Sequence, residues 1–520
     1  MAELDRRMLL RSGLAAGAGL AFGGSLLPRA GAAAPAFVPS GRPTITHGVQ
    51  SGDPTRHSAV VWTRADRPGR MLVEVCNRPD FRNARRVRGP LLTPDTDLTG
   101  SVTLRELPHN SDIHYRVRIE DPDTHGLRSE PVVGRLRTAP GGGTRRAARG
   151  VRFVWTADIN GQGWGINPDR GGMRIFEQMR LLRPDFYLCS GDTVYADGPI
   201  TETVNLPDGT VWRNLVTEAK SKVAETLDEF RGQYAYNLLD ENLKAFAAEV
   251  AQINQWDDHE VRNNWYPGQV FDDPRYTGRN ADVLAARARQ AFGEWVPSRS
   301  REIFRKLSFG PLLDLFVLDM RTFKDPNDDN RYADPTRGLL GARQRAWLID
   351  GLRASRATWK VIAIDLPLGL VVGDGANRYE GVAQGAGGAP MGRELEFATV
   401  LRDAHRNGVT GLVFLTADVH YTAAHHYDPA RAAVGDFTPF WEFVSGPANA
   451  GAFGPNTLDP TFGPRAEFVH APPAANTSPA GGFQHFGEVD IDGASGAFTV
   501  RLRDLTGAAL WSVTLPAQAH

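Results

Sequence analysis

Short apolar runs alternate with polar residues from about residue 44 to residue 138. Ala59-Val60-Val61-Trp62-Thr63, Met71 to Cys76, Ser101 to Leu104 and Tyr115-Val117-Ile119 carry the pattern, and Asp66-Arg67-Pro68-Gly69 is one of the turns between them. A period of two between polar turns predicts a small antiparallel β-sandwich, placed at 40–139. Pro140-Gly141-Gly142-Gly143-Thr144 and a basic tail to Gly150 predict a linker, 140–150. From 151 to 520 the texture changes to apolar strand runs alternating with helical stripes, which predicts a layered α/β domain. The strand runs are Val151–Thr156, Asp185–Cys189, Ala251–Trp256, Leu313–Leu318, Val361–Ile364 and Leu412–Leu415. The helices are Met173–Leu182, Leu284–Trp295, Ala342–Leu352 and Glu394–Asn407. A largely helical insertion is expected over about 200–250, and the last thirty residues read as strands closing a sheet.

The N-terminus does not fit this scheme. Asp5-Arg6-Arg7-Met8-Leu9-Leu10-Arg11 precedes a Gly/Ala-rich apolar run and the small residues Ala30-Gly31-Ala32. A charged start, a weakly apolar stretch and an A-x-A site predict a cleavable signal peptide, 1–32, and the paired arginines point to the twin-arginine translocation machinery. No later run is long and apolar enough to anchor the mature chain in a membrane. The expected location is therefore periplasmic, cell-wall-associated or secreted. Composition adds little: 59 Lys+Arg against 60 Asp+Glu shows no basic excess of the kind a nucleic-acid-binding module carries. Two cysteines, Cys76 and Cys189, exclude a disulfide scaffold and read as buried free thiols.

The chemistry stands at the strand ends. Val151–Thr156 runs into Asp158, Asp185–Cys189 into Gly191-Asp192 with Tyr195 beyond, and Ala251–Trp256 into Asp257-Asp258-His259-Glu260 and Asn263-Asn264. Leu313–Leu318 ends at Asp319-Met320-Arg321, and Leu412–Leu415 at Asp418-Val419-His420. Polar residues after successive strands converge on one edge of an α/β sheet. Carboxylates gathered there repel unless cations neutralise them, so the series predicts a site for more than one metal. His405, His425, His426, His485 and His520 lie outside it and read as surface or supporting residues.

The series resembles the PhoD-type alkaline phosphatase family, within the calcineurin-like metallophosphoesterase fold. The matching segments are His47-Gly48-Val49-Gln50-Ser51-Gly52-Asp53-Pro54, Val61-Trp62-Thr63-Arg64, Ser190 to Gly198, Trp256 to Asn264, Leu318 to Arg321 and Thr416 to His420. The resemblance implies a four-layer metallophosphoesterase sandwich behind an N-terminal β-sandwich. It implies that Asp192 bridges two metals, that Tyr195 binds Fe3+ as a phenolate, and that Asp418 and His420 are ligands. Asp258 and Asn263 are the contacts it suggests in their segment, with the choice open. His259 and Arg321 are implied at the phosphate, as catalytic groups.

One position departs from the family. Asp158 stands where its better-known members carry a cysteine ligand, and Asn160 where the wider fold carries a histidine. Carboxylate in place of thiolate hardens the site, so Mn2+ or Ca2+ joins the Fe3+ and Ca2+ that the family implies. The implied activity is hydrolysis of phosphate esters by metal-activated water in an exported, monomeric alkaline phosphatase. Phosphodiesterase or phospholipase D-like activity on diesters is the alternative within enzymes, and a non-catalytic exported binding protein the alternative outside them.

Overall fold

The computed structural model describes residues 41–124, 126–142 and 149–518. The expected signal peptide and residues 143–148 of the expected linker lie outside the described residues.

Period-two burial builds two large sheets. The first orders nine strands: Ala509–Leu515, Phe498–Asp504, His485–Ile491, Val151–Thr156, Phe186–Cys189, Ala251–Asn254, Ile45–Gly52, Ala59–Ala65 and Thr99–Leu104. The second orders seven: Arg305–Phe309, Leu313–Val317, Trp359–Ala363, Leu412–Thr416, Phe440–Val444, Thr422–Tyr427 and Pro464–His470. Alternate residues face opposite ways along a strand. Phe153, Trp155, Phe186 and Leu188 of the first sheet therefore share a core with Leu315, Val317, Val361 and Leu415 of the second. Val154, Tyr187 and Cys189 face the other way, onto the helices Arg174–Leu181, Leu227–Asn237, Glu241–Glu249 and Ala281–Trp295. Phe316, Ile362 and Phe414 face the helices Gly341–Ala354 and Glu394–Arg406. The expected four-layer sandwich is this helix–sheet–sheet–helix stack.

The N-terminal strands are fused to that stack. Ile45–Gly52, Ala59–Ala65 and Thr99–Leu104 extend the nine-stranded sheet, joined by the parallel pairing Gly52↔Gln252. A Cβ at Gly52 would meet the Pro297 carbonyl at 2.0 Å, so only glycine fits the joint. Next to it, buried Asp53 accepts from the Arg305 guanidinium (2.9 Å). The remaining N-terminal strands, Arg85–Leu92, Gly69–Cys76, Asp112–Glu120 and Val132–Arg137, form a separate four-stranded sheet over them. The described residues from Arg42 onward gather into one compact unit.

The 200–250 stretch opens with a hairpin, Thr203–Asn205 against Val211–Arg213, before the expected helices. Leu227–Asn237 starts at a capping box: the Glu229 N–H donates to Thr226 Oγ1, and Glu229 Oε2 accepts from the Thr226 N–H. Both cysteines are free, but Cys76 is half-buried, because it falls on the outward register of its strand. Of the surface and supporting alternatives, burial removes the surface one for His425 and His485: His425 meets Glu442 (3.1 Å) and His485 meets His470 (2.8 Å).

Phe186 stacks between Phe153 (4.6 Å) and Phe309 (4.4 Å) in the central core. Phe186→Ala is expected to destabilise the protein by about 3–5 kcal/mol. Urea denaturation should show the midpoint fall with its slope unchanged.

Candidate metal centre

The parallel strands of both sheets end on one edge, and their following loops bend sharply. Asp158 (φ 57), Asp192 (φ 46), Asp418 (φ 64) and His420 (φ 60) all adopt the left-handed conformation that side chains rarely take. Such strain persists only where the surroundings hold it. At Asp158 they do: its carbonyl accepts from the N–H groups of Ala448, Asn449 and Ala450 (3.0–3.2 Å).

These turns aim the side chains inward. Asp158, Asp192 and His420 form one group whose ligand atoms lie within 4.8 Å of one another. Asp192, Asp258 and His259 form a second, and Asp257, Asp258 and Asp418 a third. Asp192 and Asp258 each belong to two groups. Asp158 is fully buried, and among the described residues neither of its carboxylate oxygens has a hydrogen-bond partner; Asp258 Oδ1 and Asp257 Oδ2 have none there either. Burial pushes Asp158, Asp192, Asp257 and Asp418 well above the usual carboxylate range, and neighbouring carboxylates push further. Buried carboxylates without partners are costly. Oxygen donors converging in adjoining groups fit hard cations.

His420 is set to offer Nε2. Its Nδ1 donates to the Gly451 carbonyl, which only accepts. Nε2 then carries the lone pair, 3.6 Å from Asp158 Oδ1 and 2.9 Å from the Tyr195 hydroxyl. Burial lowers the imidazole pKa to about 4, so the ring is neutral near neutral pH. The Tyr195 phenol is pushed well up by burial, then by Asp192 and Asp158. It keeps its proton unless a strong Lewis acid takes its place.

His259 has the opposite character. Burial opposes its charge, but Asp197, Asp258 and Asp192 outweigh burial and hold the ring protonated well above the ordinary histidine value. Nδ1 lies 2.6 Å from Asp197 Oδ1, and the ring stacks on Tyr195 at 4.2 Å. Its backbone N–H donates to Asp192 Oδ1 (3.1 Å). Asp197 also accepts from the Asn263 N–H (2.8 Å).

Arg321 is completely buried. Its guanidinium contacts Asp257, Asp365 (3.0 Å) and Glu380, with Asp418 at 3.5 Å and Asp258 at 3.9 Å. It is a counter-ion among five carboxylates and is absent from the cleft wall. Asn263 lies exposed at the cleft mouth. The Asn160 amide is occupied on both sides, donating to Asn237 (2.8 Å) and accepting from Asn449 (2.8 Å). Asp319 caps a turn, accepting from Trp256 Nε1 (3.0 Å) and the Thr322 N–H (2.9 Å). Cys189 is a buried thiol pushed up to about 12 by burial.

The sequence pattern does not single out Asp197, Asp365 or Glu380, and it marks Glu260 only as the last member of the Asp257–Glu260 run. Glu260 accepts from the Thr193 and Asp257 N–H groups (both 2.7 Å), tying two of the loops together. Asp365 directly follows the expected Val361–Ile364 strand, the same signal that marked Asp158. Glu380 and Asp197 carry no comparable signal.

Gly446 closes the centre from behind. A Cβ there would stand 2.2 Å from Asp158 Oδ2. Gly446→Ala is expected to keep the fold while lowering metal content by at least about tenfold. Elemental analysis of the purified variant, alongside its circular dichroism spectrum, checks this.

The cleft above these groups has a volume of about 300 Å3. Asp192, Asp258, His259, Asp418 and His420 form its floor, and Gln162, Asn263, Asn264, Asn456 and Phe453 stand around it. The sequence model described as PhoD-like phosphatase matches residues 153–502, and that of the PhoD-like phosphatase N-terminal domain matches 31–140. Alkaline phosphatase D of Bacillus subtilis (strain 168) is 28% identical over 395 residues, covering 69% of this chain. The chain spans 62% of that relative's length. A solved structure of PhoD superposes with a TM-score of 0.68 at 22% identity, covering 93% of this chain and 90% of its own. Purple acid phosphatase PPD1 from yellow lupin (Lupinus luteus) seeds superposes with a TM-score of 0.57 at 13% identity, covering 91% and 74%. Both share the fold. The matched span 153–502 holds every residue of the centre, and the chain belongs to the PhoD-like phosphatase family.

Proposed function

We propose that this protein is an exported, metal-dependent phosphoric ester hydrolase. The observation that carries the reading is Asp158, fully buried with both carboxylate oxygens unpartnered, beside Asp192, Asp258 and His420. Asp158, Asp192 and His420 would hold one cation, with Tyr195 beside them, and Asp258, with Asp192 in one group and Asp418 in another, would hold a second, with Asn263 able to join from the cleft mouth. Bound there, such cations supply Lewis acidity toward the phosphoryl oxygens and lower the pKa of water. The all-oxygen-and-imidazole donor set suits Fe3+ with Ca2+, or Mn2+ at the Asp158 position.

The chain's own groups do the rest. Asp197 keeps His259 charged and oriented, so the imidazolium can give its proton to the departing alkoxide. Asn263 offers its amide at the cleft mouth for the ester's oxygens, and Asn264 and Asn456, each with one N–H given, to Asp374 (2.9 Å) and the Val371 carbonyl (3.0 Å) respectively, keep a second. Arg321 holds Asp257, Asp258 and Asp418 together and screens their repulsion. The phosphate-facing role implied for Arg321 would require it to move into the cleft. Among the described residues no Lys or Arg lines that cleft, which favours singly charged diesters over doubly charged monoesters as a second reading.

The Arg6-Arg7 leader supports export by the twin-arginine route, in a folded, metal-loaded state. No helix among the described residues is long and apolar enough to cross a membrane. The test compares p-nitrophenyl phosphate with bis-p-nitrophenyl phosphate, before and after chelation, alongside metal analysis. Chelation should abolish hydrolysis of whichever ester is cleaved, and the bound metal should restore it. Activity that survives complete metal removal would sink the proposal.

A further inference from the structure

The outer face of the N-terminal four-stranded sheet carries a second charged feature. Cross-strand pairing sets Arg86 and Arg116 on either side of Glu74, and Arg88 and Arg118 on either side of Leu72. The two rows are two residues apart along each strand, about 7 Å. Each pair of arginines spans two strand spacings, about 10 Å. Together with Arg128 and Glu120 they line a hollow of about 540 Å3.

The charges in this hollow do not balance. Glu74 takes Arg116 (2.5 Å) and Arg86 (3.4 Å), and Glu120 takes Arg128 (2.7 Å). Arg118 donates only to the Ser129 carbonyl (3.4 Å), and Arg88 has no partner among the described residues. Five arginines against two glutamates leave three net positive charges over an aliphatic floor. The near-neutral chain therefore concentrates positive charge on one sheet face. A repeating anion fits both the strand-wise spacing and the excess, and guanidinium forks bind phosphate oxygens in pairs.

We propose that this face is a docking surface for a linear polyanion with phosphate in its repeat, held across the Arg86–Arg88 and Arg116–Arg118 strands. It is separate from the metal centre and does not depend on the hydrolase reading. Arg88 and Arg118 are its main anchors, because neither is committed to an acid among the described residues.

Long-chain inorganic polyphosphate is the probe, titrated onto the full chain at several salt concentrations. Binding should weaken steeply with salt, the mark of counterion release. Arg88→Ala/Arg118→Ala should weaken it at least about tenfold and lower the logarithmic salt slope by about 1–2. The same double variant should hydrolyse soluble p-nitrophenyl esters at the parent's rate. Arg406→Ala, at an exposed arginine on the opposite part of the sequence, should leave binding unchanged. Polyglutamate and anionic lipid vesicles are the competing probes. Polyphosphate binding untouched by the double substitution overturns the proposal. So does equal binding of polyglutamate, or loss of vesicle binding in a protein that never bound polyphosphate.

Discussion

Asp192→Asn is expected to lose metal and, with it, at least about 10²–10³-fold in kcat/KM, the loss that follows removal of a major stabiliser of transition-state charge. Asp192 is the one carboxylate shared between the Asp158–His420 group and the Asp258–His259 group. An amide keeps the shape but carries no negative charge and only one ligating oxygen, so it cannot serve as an anionic bridge. Stability gives an independent reading. Asp158, Asp192, Asp257 and Asp418 have raised pKa values in the folded protein, chiefly through burial. Their contribution is fully present below the unfolded carboxylate value of about 4 and is lost as pH rises through the folded values. The chelated protein should therefore lose thermal stability as pH rises from 4 toward 8, and the loaded protein should not. Asn at 192 removes one of these charges. The chelated variant should melt higher than the chelated parent at neutral pH, yet gain less from added metal. A variant that keeps both metal and activity would refute the shared-ligand role. Thermal melts at several pH values, with and without chelator, and elemental analysis read all three effects.

His259→Ala should slow the enzyme by an amount set by the leaving group. Proton donation by a positioned acid contributes about 10²–10⁴-fold where the leaving oxygen is a poor one. An alkyl phosphate ester should show that loss, whereas p-nitrophenolate, stable without a proton, should show much less. Asp197→Asn tests the supporting contact, since Asp197 lies 2.6 Å from His259 Nδ1. With the anion gone, the His259 pKa should fall, and the basic limb of the kcat–pH profile should move to lower pH. Equal losses on both leaving groups, with an unshifted profile, would remove His259 from the role of acid.

The backbone frame was largely legible in the amino-acid pattern. The helix expected at Glu394–Asn407 is observed at Glu394–Arg406, and the strand expected at Leu313–Leu318 at Leu313–Val317. Apolar period reports which face of an element is buried, and that is a local property. The same logic marked Asp158, Asp192, Asp258, Asp418 and His420, because each closely follows a strand. It passed over Asp365, although that residue directly follows the Val361–Ile364 strand, and Glu380, which lies well inside a loop.

Partnerships were not legible in this way. Arg321 was expected at the phosphate, yet the folded chain surrounds it with Asp257, Asp365, Glu380 and Asp418, drawn from loops far apart in sequence. The pairing of His259 with Asp197 depends on two loops meeting. The N-terminal sandwich read as a separate module, but its first strand docks on Gln252 through a glycine whose need is visible only beside Pro297. Local order along the chain specifies which elements form and which residues they deliver to their ends. Which charges then face each other depends on how loops from two different sheets close over one edge, and electrostatics in a buried site acts through space rather than along the chain.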